Sequence, residues 1–149
     1  MLFLLDANIL IYGANPASPF FAQCKRATSV ITQNGDSPCI VPQSLYEFWT
    51  VATRKPNPQS ALSGLGMTPA QAYAEIVAIK RLFPLFPDNG RILPEWERLV
   101  TQHSVSGKNG HDVRYVAAMN VHNITRLLTV NKDDFKRFTN ITALLPSDV

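Results

Sequence analysis

The sequence predicts an α/β protein built on a central, mainly parallel β-sheet with right-handed crossover connections. Short, continuous apolar runs such as residues 2–5 are typical of strands that are buried on both faces of a parallel sheet. These runs alternate along the chain with stretches of helical periodicity. The 149 residues are enough for one domain with its own hydrophobic core, so we expect a single domain over residues 1–149.

The first half of the chain is predicted to contain two strands and three helices. In chain order they are a strand at residues 2–5, a short helix at 8–12, a helix at 20–33, a strand at 39–41 and a helix from residue 42. Pro16 and Pro19 end the short helix, and the Asn34-Gly35 pair ends the longer one. Pro42 suits a first helical position, and the residues after it show an apolar stripe.

The second half begins with a loop at residues 55–66, "KPNPQSALSGLG", which is rich in Pro, Ser and Gly. Thr68 and Gln71 form a capping-box pattern with Pro69 at the first helical position. The further predicted elements are a helix to residue 82, an extended piece in "LFPLFPDNG", helices at 94–103 and 111–122, a strand at 124–130, a helical turn in "DDFKRF" and a strand at 141–144.

Composition places the chain among ordinary soluble globular proteins, with 46% hydrophobic and 17% charged residues. The net charge of +3 is compatible with a polyanionic partner without establishing one. Cys24 and Cys39 lack a second Cys or a His at metal-ligand spacing, so we expect buried, reduced thiols, with a disulfide as the alternative.

The apolar N-terminus does not resemble a secretory signal peptide, because Asp6 interrupts it and no Lys or Arg precedes it. No apolar segment approaches the roughly 20 residues that span a bilayer. We therefore expect a soluble, cytoplasmic protein without a membrane partner. The pair Gly64 and Gly66 does not form a dinucleotide-binding motif, because it does not follow a strand and lacks a third Gly.

Acidic side chains occur where predicted strands end or helices begin. Asp6 follows the first strand, Glu47 lies in the helix after the second, and Asp112 opens a helix on the face shared by Val116 and Met119. Each has an ordinary explanation alone: Asp6 and Asp112 as helix caps, Glu47 as a solvated helix residue. A further group, residues 131–134, follows the strand that ends at residue 130.

Ligands bind beyond the carboxyl ends of the strands in open α/β sheets, which is where these acids are expected to meet. Clustered carboxylates repel one another, and all of them stay ionised at neutral pH only beside a cation. Oxygen ligands favour Mg²⁺ or Mn²⁺ over zinc. Such a site activates water and neutralises the charge on a phosphate group.

Four segments in this order resemble the successive motifs of PIN-domain ribonucleases, and of VapC-type toxins in particular. They are "LLDANILIY", "VPQSLYEFWTVATR", "HDVRYVAAM" and "LLTVNKDDF". The resemblance covers nearly the whole chain. It implies a three-layer α/β/α sandwich, RNA cleavage with Mg²⁺ or Mn²⁺, a cognate antitoxin that blocks the site, and a homodimer.

Residue by residue, the resemblance implies that Asp6 and Asp112 are the principal metal ligands and that Glu47 completes the acidic pocket, directly or through water. Many relatives carry a fourth acid where this chain has Asn131, a neutral oxygen ligand, with Asp134 just beyond. One formal charge is therefore missing, which weakens the expectation of a tightly held second metal ion.

Three further residues are candidates around this acidic pocket. Thr129 is expected to orient an acidic side chain or a water by hydrogen bonding. Lys108 and Arg114 flank Asp112 and are candidates for binding RNA phosphates, with solvated surface charges as the alternative.

The leading hypothesis is thus a metal-dependent endoribonuclease that forms the toxin half of a toxin–antitoxin pair. The alternatives are a PIN-like RNA-binding or interaction module with weak or no catalysis, which Asn131 favours, and a stand-alone nuclease that processes RNA or acts on DNA.

Overall fold

A computed structural model describes residues 1–60 and 63–149 of the chain. Within these residues four strands, six α-helices and two short 3₁₀ helices are formed. They are β1 (Leu2–Leu5), α1 (Ala7–Gly13), α2 (Phe21–Gln33), β2 (Ser37–Cys39), α3 (Pro42–Ala52), α4 (Pro69–Leu82), α5 (Ile92–Gln102), α6 (Asn109–His122), β3 (Arg126–Leu128), a 3₁₀ helix Lys132–Phe135, β4 (Thr142–Leu144) and a 3₁₀ helix Pro146–Asp148.

The four strands form one parallel sheet in the order β2-β1-β3-β4. Leu4 of β1 lies between Cys39 of β2 and Leu127 of β3, so the N-terminal apolar run is a central strand. Two helices connect β1 to β2, and four connect β2 to β3. The predicted parallel α/β architecture is therefore confirmed.

The side chains of alternating strand residues pack into two separate hydrophobic cores, one on each face of the sheet. Phe3, Leu5 and Leu128 pack with α1, α2, α3 and α4. Leu4 and Leu127 pack on the opposite face with α5 and α6. Burial of both strand faces explains why these runs are continuously apolar. The result is a three-layer α/β/α sandwich.

Several predicted boundaries are wrong by a few residues. The second strand is Ser37–Cys39 and not 39–41, because Ile40 forms a bridge with Leu85 and the next residue caps α3. The strand predicted at 124–130 is limited to Arg126–Leu128, because the Ile124 N–H closes α6 and the Val130 N–H turns to the Asn8 side chain. The last strand begins one residue later than predicted.

Two helices begin earlier than their strongest sequence signals. Helix α5 starts at Ile92, which places Pro94 in the first turn, where a missing N–H costs no hydrogen bond. Helix α6 starts at Asn109, so Asp112 lies inside its first turn and is not the opening residue. Helix α4 begins at Pro69 with the predicted Thr68–Gln71 capping box.

The predicted loop at residues 55–66 includes residues 61 and 62, which lie outside the described residues. Its described end, residues 64–67, folds back on α3. The N–H groups of Leu65, Gly66 and Met67 donate to the carbonyl oxygens of Val51, Arg54 and Ala52 at 3.1, 2.9 and 2.8 Å. The loop therefore satisfies the C-terminal carbonyl groups of α3.

Cys24 and Cys39 are both buried and unpaired, as predicted. Burial raises the pKa of the Cys24 thiol to about 11 and that of Cys39 to about 12. Both thiols therefore stay protonated at neutral pH. Over the described part of the chain, none of the helices is both long and apolar enough to cross a membrane.

Candidate active site

A cleft of about 280 Å³ opens where β1 ends and helices α1, α3 and α6 converge. It lies at the carboxyl end of the sheet, where α/β folds bind ligands. Ten residues line it: Asp6, Ala7, Asn8, Ile11, Glu47, Thr50, Val51, Arg54, Asp112 and Asn131. The structure thus brings together four of the side chains that the sequence predicted, from four separate segments.

Asp6 is buried at the carboxyl end of β1 and is also the N-cap of α1. Its Oδ2 atom accepts hydrogen bonds from Thr129 Oγ1 at 2.7 Å and from Asn8 Nδ2 at 2.8 Å. Its Oδ1 atom accepts only a long bond, 3.5 Å, from the Asn8 backbone N–H. The capping role is therefore real and leaves Oδ1 with spare acceptor capacity.

Thr129 and Asn8 join the ends of β1 and β3 around this carboxylate. Thr129 is fully buried, and its hydroxyl oxygen accepts bonds from the Asn131 N–H at 3.0 Å and from Asn8 Nδ2 at 3.2 Å. Asn8 Oδ1 in turn accepts the Val130 N–H at 3.3 Å. The hydrogen bond expected between Thr129 and an acidic side chain is present, and it fixes the direction of the Asp6 carboxylate.

Burial is the main reason that the pKa of Asp6 is raised to about 6. The hydrogen bond from Thr129 lowers this pKa, while the negative charges of Glu47 and Asp112 raise it. The negative charges of both other acids therefore act on the Asp6 carboxylate across the cleft. A nearby cation would favour its charged form.

Glu47 is half-buried, and both of its carboxylate oxygens accept a hydrogen bond from a neutral donor. Gln43 Nε2 donates to Oε1 at 2.8 Å, and the Tyr115 hydroxyl donates to Oε2 at 3.1 Å. The Tyr115 oxygen also accepts the Ala7 N–H at 3.3 Å. Burial raises the pKa of Tyr115 well above its usual value, and the charges of Asp6 and Glu47 raise it further, so the phenol remains a donor.

Gln43 is itself fixed by contacts with α6. Its Nε2 atom also donates to the His111 carbonyl at 2.8 Å, and its Oε1 atom accepts from Arg114 at 3.2 Å. Arg114 forms an ion pair with Asp88 at 2.7 Å and does not line the cleft. The structure therefore places Arg114 in a supporting network behind Glu47. Its predicted contact with RNA stays a prediction that this placement does not favour.

Asp112 is half-buried in the first turn of α6. Burial first, and then the negative charges of Asp134 and Glu47, raise its pKa to about 6. The positive charges of His111 and Lys108 act in the opposite direction. Lys108 is exposed at the start of α6, so it lies on the same side of the site as Asp112.

Asn131 lines the cleft from the turn that follows β3, and its side chain is exposed. Asp134 is also exposed, in the adjacent 3₁₀ helix, and it is absent from the cleft lining. Its charge nevertheless exerts the largest electrostatic effect on Asp112. The structure thus places Asn131 in the cleft lining, and it places Asp134 outside that lining but near enough for its charge to raise the pKa of Asp112.

No protein-family model and no curated protein sequence matches the chain significantly. Solved structures do match. A chain of the VapBC2 complex from Rickettsia felis, bound to a promoter DNA fragment, superposes with a TM-score of 0.70 at 17% identity, covering 97% of this chain and 98% of that one. VapBC-1 from nontypeable Haemophilus influenzae gives a TM-score of 0.68 at 17% identity, covering 99% of both chains.

The chain has the PIN-like fold of VapC toxins. VapC20 from Mycobacterium tuberculosis, a toxin that cleaves the sarcin–ricin loop, also matches, with a TM-score of 0.59 at 15% identity over 84% of this chain and 86% of that one. At these identities the likeness concerns the fold. It confirms at that level the resemblance that the four sequence motifs indicated.

The donor set of this PIN-like fold suits a divalent cation of the Mg²⁺ or Mn²⁺ type, because every candidate ligand is an oxygen atom. The negative charges of neighbouring acids add to burial in raising the pKa values of Asp6 and Asp112, and a bound cation would act in the opposite direction. Across residues 1–60 and 63–149, however, no three acidic, imidazole or thiol side chains are already grouped as ligands of one ion. Glu47 is turned toward Gln43 and Tyr115, which accounts for this.

Three residues in or beside the cleft were not predicted from the sequence, namely Gln43, Arg54 and Tyr115. Gln43 precedes Glu47 by four residues, a spacing that places both on one face of α3. Tyr115 follows Asp112 by three residues and reaches Glu47 from α6. Arg54 lies just beyond the C-cap of α3 and lines the cleft from there. Helical spacing from the predicted acids could have identified Gln43 and Tyr115 as neighbours, but not their hydrogen bonds, and it does not extend to Arg54.

Proposed function

We propose that this protein is a metal-dependent endoribonuclease and the toxin of a toxin–antitoxin pair. The observation that carries the proposal is the meeting of Asp6, Glu47, Asp112 and Asn131 in one cleft at the carboxyl end of a PIN-like sheet. The matching VapC20 is an RNA-cleaving toxin, which supports the same activity here.

Asp6 and Asp112 would hold Mg²⁺ or Mn²⁺, with Asn131 as a neutral oxygen ligand that lines the same cleft. A bound divalent ion would balance the acidic charge, neutralise the substrate phosphate and make water a stronger nucleophile at neutral pH. Asp6 offers its Oδ1 atom, because Oδ2 is already occupied by Thr129 and Asn8.

Glu47 would act on water and not as a close metal ligand. An ionised carboxylate has about four acceptor positions, and Gln43 and Tyr115 use two of those of Glu47. The remaining positions can orient a water molecule toward the phosphate. Because both donors are neutral, they fix the carboxylate without cancelling its charge, which suits a group that takes up a proton.

The proposed protein partner is an antitoxin. Several matching structures are complexes of this kind, including VapBC from Salmonella typhimurium and a toxin–antitoxin complex from Klebsiella pneumoniae, which supports the proposal. The homodimer that the resemblance implies stays a prediction.

A second candidate is a PIN-like RNA-binding module with weak or no catalysis. Asn131 favours this module, because its neutral amide stands where a fourth acid would carry a charge. The hydrogen bonds from Gln43 and Tyr115 to Glu47 also favour it, because they leave that carboxylate with fewer free acceptor positions. This module would bind RNA without cutting it. A stand-alone nuclease would cut RNA, or DNA, without an antitoxin.

The test is to incubate purified protein with single-stranded RNA and DNA of the same sequence in Mg²⁺, Mn²⁺ or EDTA. We expect RNA fragments with either metal ion and none in EDTA. Asp133→Asn is a matched control, since Asp133 is exposed and pairs only with Lys136. RNA binding in EDTA with no products under any condition would favour the module, and cleavage of DNA alone would contradict the proposal.

A further inference from the structure

Arg54 is the basic residue that lines the acidic cleft. It lies just beyond Thr53, the C-cap of α3, and follows Glu47 by seven residues. Glu47 is half-buried whereas Arg54 is exposed, so the arginine lies toward the mouth of the cleft. Thr50 and Val51 line the wall between them.

The guanidinium of Arg54 is not committed to another group in the part of the chain that the structure describes. Arg98 and Arg114, in contrast, form ion pairs with Glu95 and Asp88. The positive charges that lower the pKa of Asp112 are those of His111 and Lys108, whereas the charges that act on Asp6 are the negative charges of Glu47 and Asp112. Arg54 therefore presents its charge to the cleft mouth without neutralising the acids.

The backbone at Arg54 is held in place by the described end of the neighbouring loop. The Gly66 N–H donates to the Arg54 carbonyl at 2.9 Å. Gly64 packs so closely on this carbonyl that a Cβ atom at position 64 would overlap it. Since the loop satisfies the end of α3, the Arg54 side chain is not needed there as a C-terminal cap.

We propose that Arg54 binds the RNA backbone at a phosphate that flanks the one cut at the acids, an inference that rests on the proposed function. An arginine donates two parallel hydrogen bonds to a phosphate and keeps its charge at every working pH. Placed at the mouth of an acidic cleft, it offsets the repulsion that the acids impose on a polyanion. It thereby positions the RNA strand across Asp6 and Asp112.

The experiment compares wild-type protein with Arg54→Ala, Arg54→Lys and Lys55→Ala. Lys55 is the neighbouring exposed residue that carries the same charge and does not line the cleft, so it controls for net charge. Cleavage kinetics use a fluorescein-labelled single-stranded RNA oligonucleotide in Mn²⁺. Binding of the same oligonucleotide is measured by anisotropy in EDTA over a series of KCl concentrations.

We expect Arg54→Ala to lower kcat/KM by about 10- to 100-fold, the loss expected for one charge-assisted contact. The slope of log affinity against log salt should fall by about 0.7, the value for one phosphate contact on a single strand. Arg54→Lys should keep the salt slope and lose part of kcat/KM. Lys55→Ala should stay within about twofold of wild type in kcat/KM.

Two outcomes would overturn the inference, and they are distinguishable. If wild-type protein cleaves the RNA but Arg54→Ala matches Lys55→Ala in kinetics and in salt slope, the role of Arg54 is wrong and the proposed function stands. If wild-type protein neither binds nor cleaves the RNA, both are wrong. Equal melting temperatures of the variants establish that a loss comes from the contact and not from unfolding.

Discussion

The two sides of the cleft are built differently. On the first, the fixed side, Asp6 and Glu47 each accept hydrogen bonds at both carboxylate oxygens from neutral side-chain or backbone donors. On the second, the open side, Asp112 and the exposed Asn131 line the cleft, and Asp134 lies outside its lining. Burial first, and then the charges of Asp134 and Glu47, raise the pKa of Asp112 on the open side.

This difference separates two tasks. The fixed side sets geometry, because buried strands and helices supply its donors before any ligand is present. The open side concentrates negative charge that only a cation or a proton can balance. Changes to the two sides should therefore affect activity to different degrees.

Removal of one principal acid from either side should abolish activity. Asp6→Asn and Asp112→Asn each delete a proposed ligand, and metal-ion stabilisation worth several kcal/mol corresponds to a loss of about 1,000-fold or more in kcat. RNA cleavage in Mn²⁺ measures the effect, and circular dichroism should show an unchanged fold. Cleavage near the wild-type rate by either variant would refute the assignment of that residue.

Removing a hydrogen bond that holds Glu47, without changing the charge of the fixed side, should lower activity by an intermediate amount. Tyr115→Phe deletes the hydroxyl that donates to Glu47, and loss of such a supporting bond typically costs about 10- to 100-fold in activity. The free energy of unfolding should fall by only about 1 kcal/mol. Tyr46→Phe, an exposed change on the same helix, is the control and should match wild type in kcat.

Acid pH should remove activity by protonating Asp6 and Asp112, whose pKa values are both raised to about 6. Metal binding needs the deprotonated carboxylates, so at subsaturating Mn²⁺ the cleavage rate should fall about tenfold or more per pH unit below this value. A pH–rate profile measures the fall, and additional Mn²⁺ should shift it to lower pH. A flat profile between pH 5 and about pH 7 would contradict the ligand roles.

Stability of the metal-free protein should change in the opposite sense. A folded-state pKa above the unfolded value contributes stability that is complete below about pH 4 and is lost as pH rises through about 6. In EDTA, Asp6→Asn should therefore raise the free energy of unfolding at neutral pH by about 1–2 kcal/mol, and less at pH 4. Denaturant titration at both pH values measures this.

The smallest effect on activity is expected for substitution of Asp134, which lies outside the cleft lining. Asp134→Asn removes the charge that most raises the pKa of Asp112, so the acid limb of the pH–rate profile should move to lower pH while kcat at neutral pH changes about threefold or less. Asp133→Asn, which breaks an exposed ion pair with Lys136, should leave both the pH–rate profile and kcat unchanged. A loss of about 100-fold in Asp134→Asn would instead identify Asp134 as a metal ligand.

The open side shows how far sequence reasoning reaches. Asp112 and Asn131 were predictable, because a strand end and a helix start at the same sheet edge must meet. The elements that carry Asp6 and Glu47, β1 and α3, were also predicted correctly, since buried strands and a proline at the first helical position leave strong local signals. Strand ends were less predictable, because Ile40 and Val130 leave the sheet through contacts with distant residues.

The fixed side shows what sequence alone does not give. The contacts of Tyr115 with Glu47 and of Thr129 with Asp6 join residues on different elements, 68 and 123 positions apart. Gln43 contacts Glu47 within α3, but it is itself held by His111 and Arg114 of α6. Their geometry depends on how α3, α6 and the sheet pack. Arg114 lies two positions from Asp112 in sequence, but in the fold it contacts Asp88 and Gln43, which the sequence did not indicate. Its predicted contact with RNA stays a prediction.

The most direct test of the account is the initial rate of RNA cleavage as a function of Mn²⁺ concentration, for wild-type protein and Asp6→Asn. The account predicts a wild-type rate that rises from the EDTA baseline and saturates, while Asp6→Asn stays at the baseline throughout. Wild-type cleavage that is as fast in EDTA as in Mn²⁺, or an Asp6→Asn curve that overlays the wild-type curve, would contradict it.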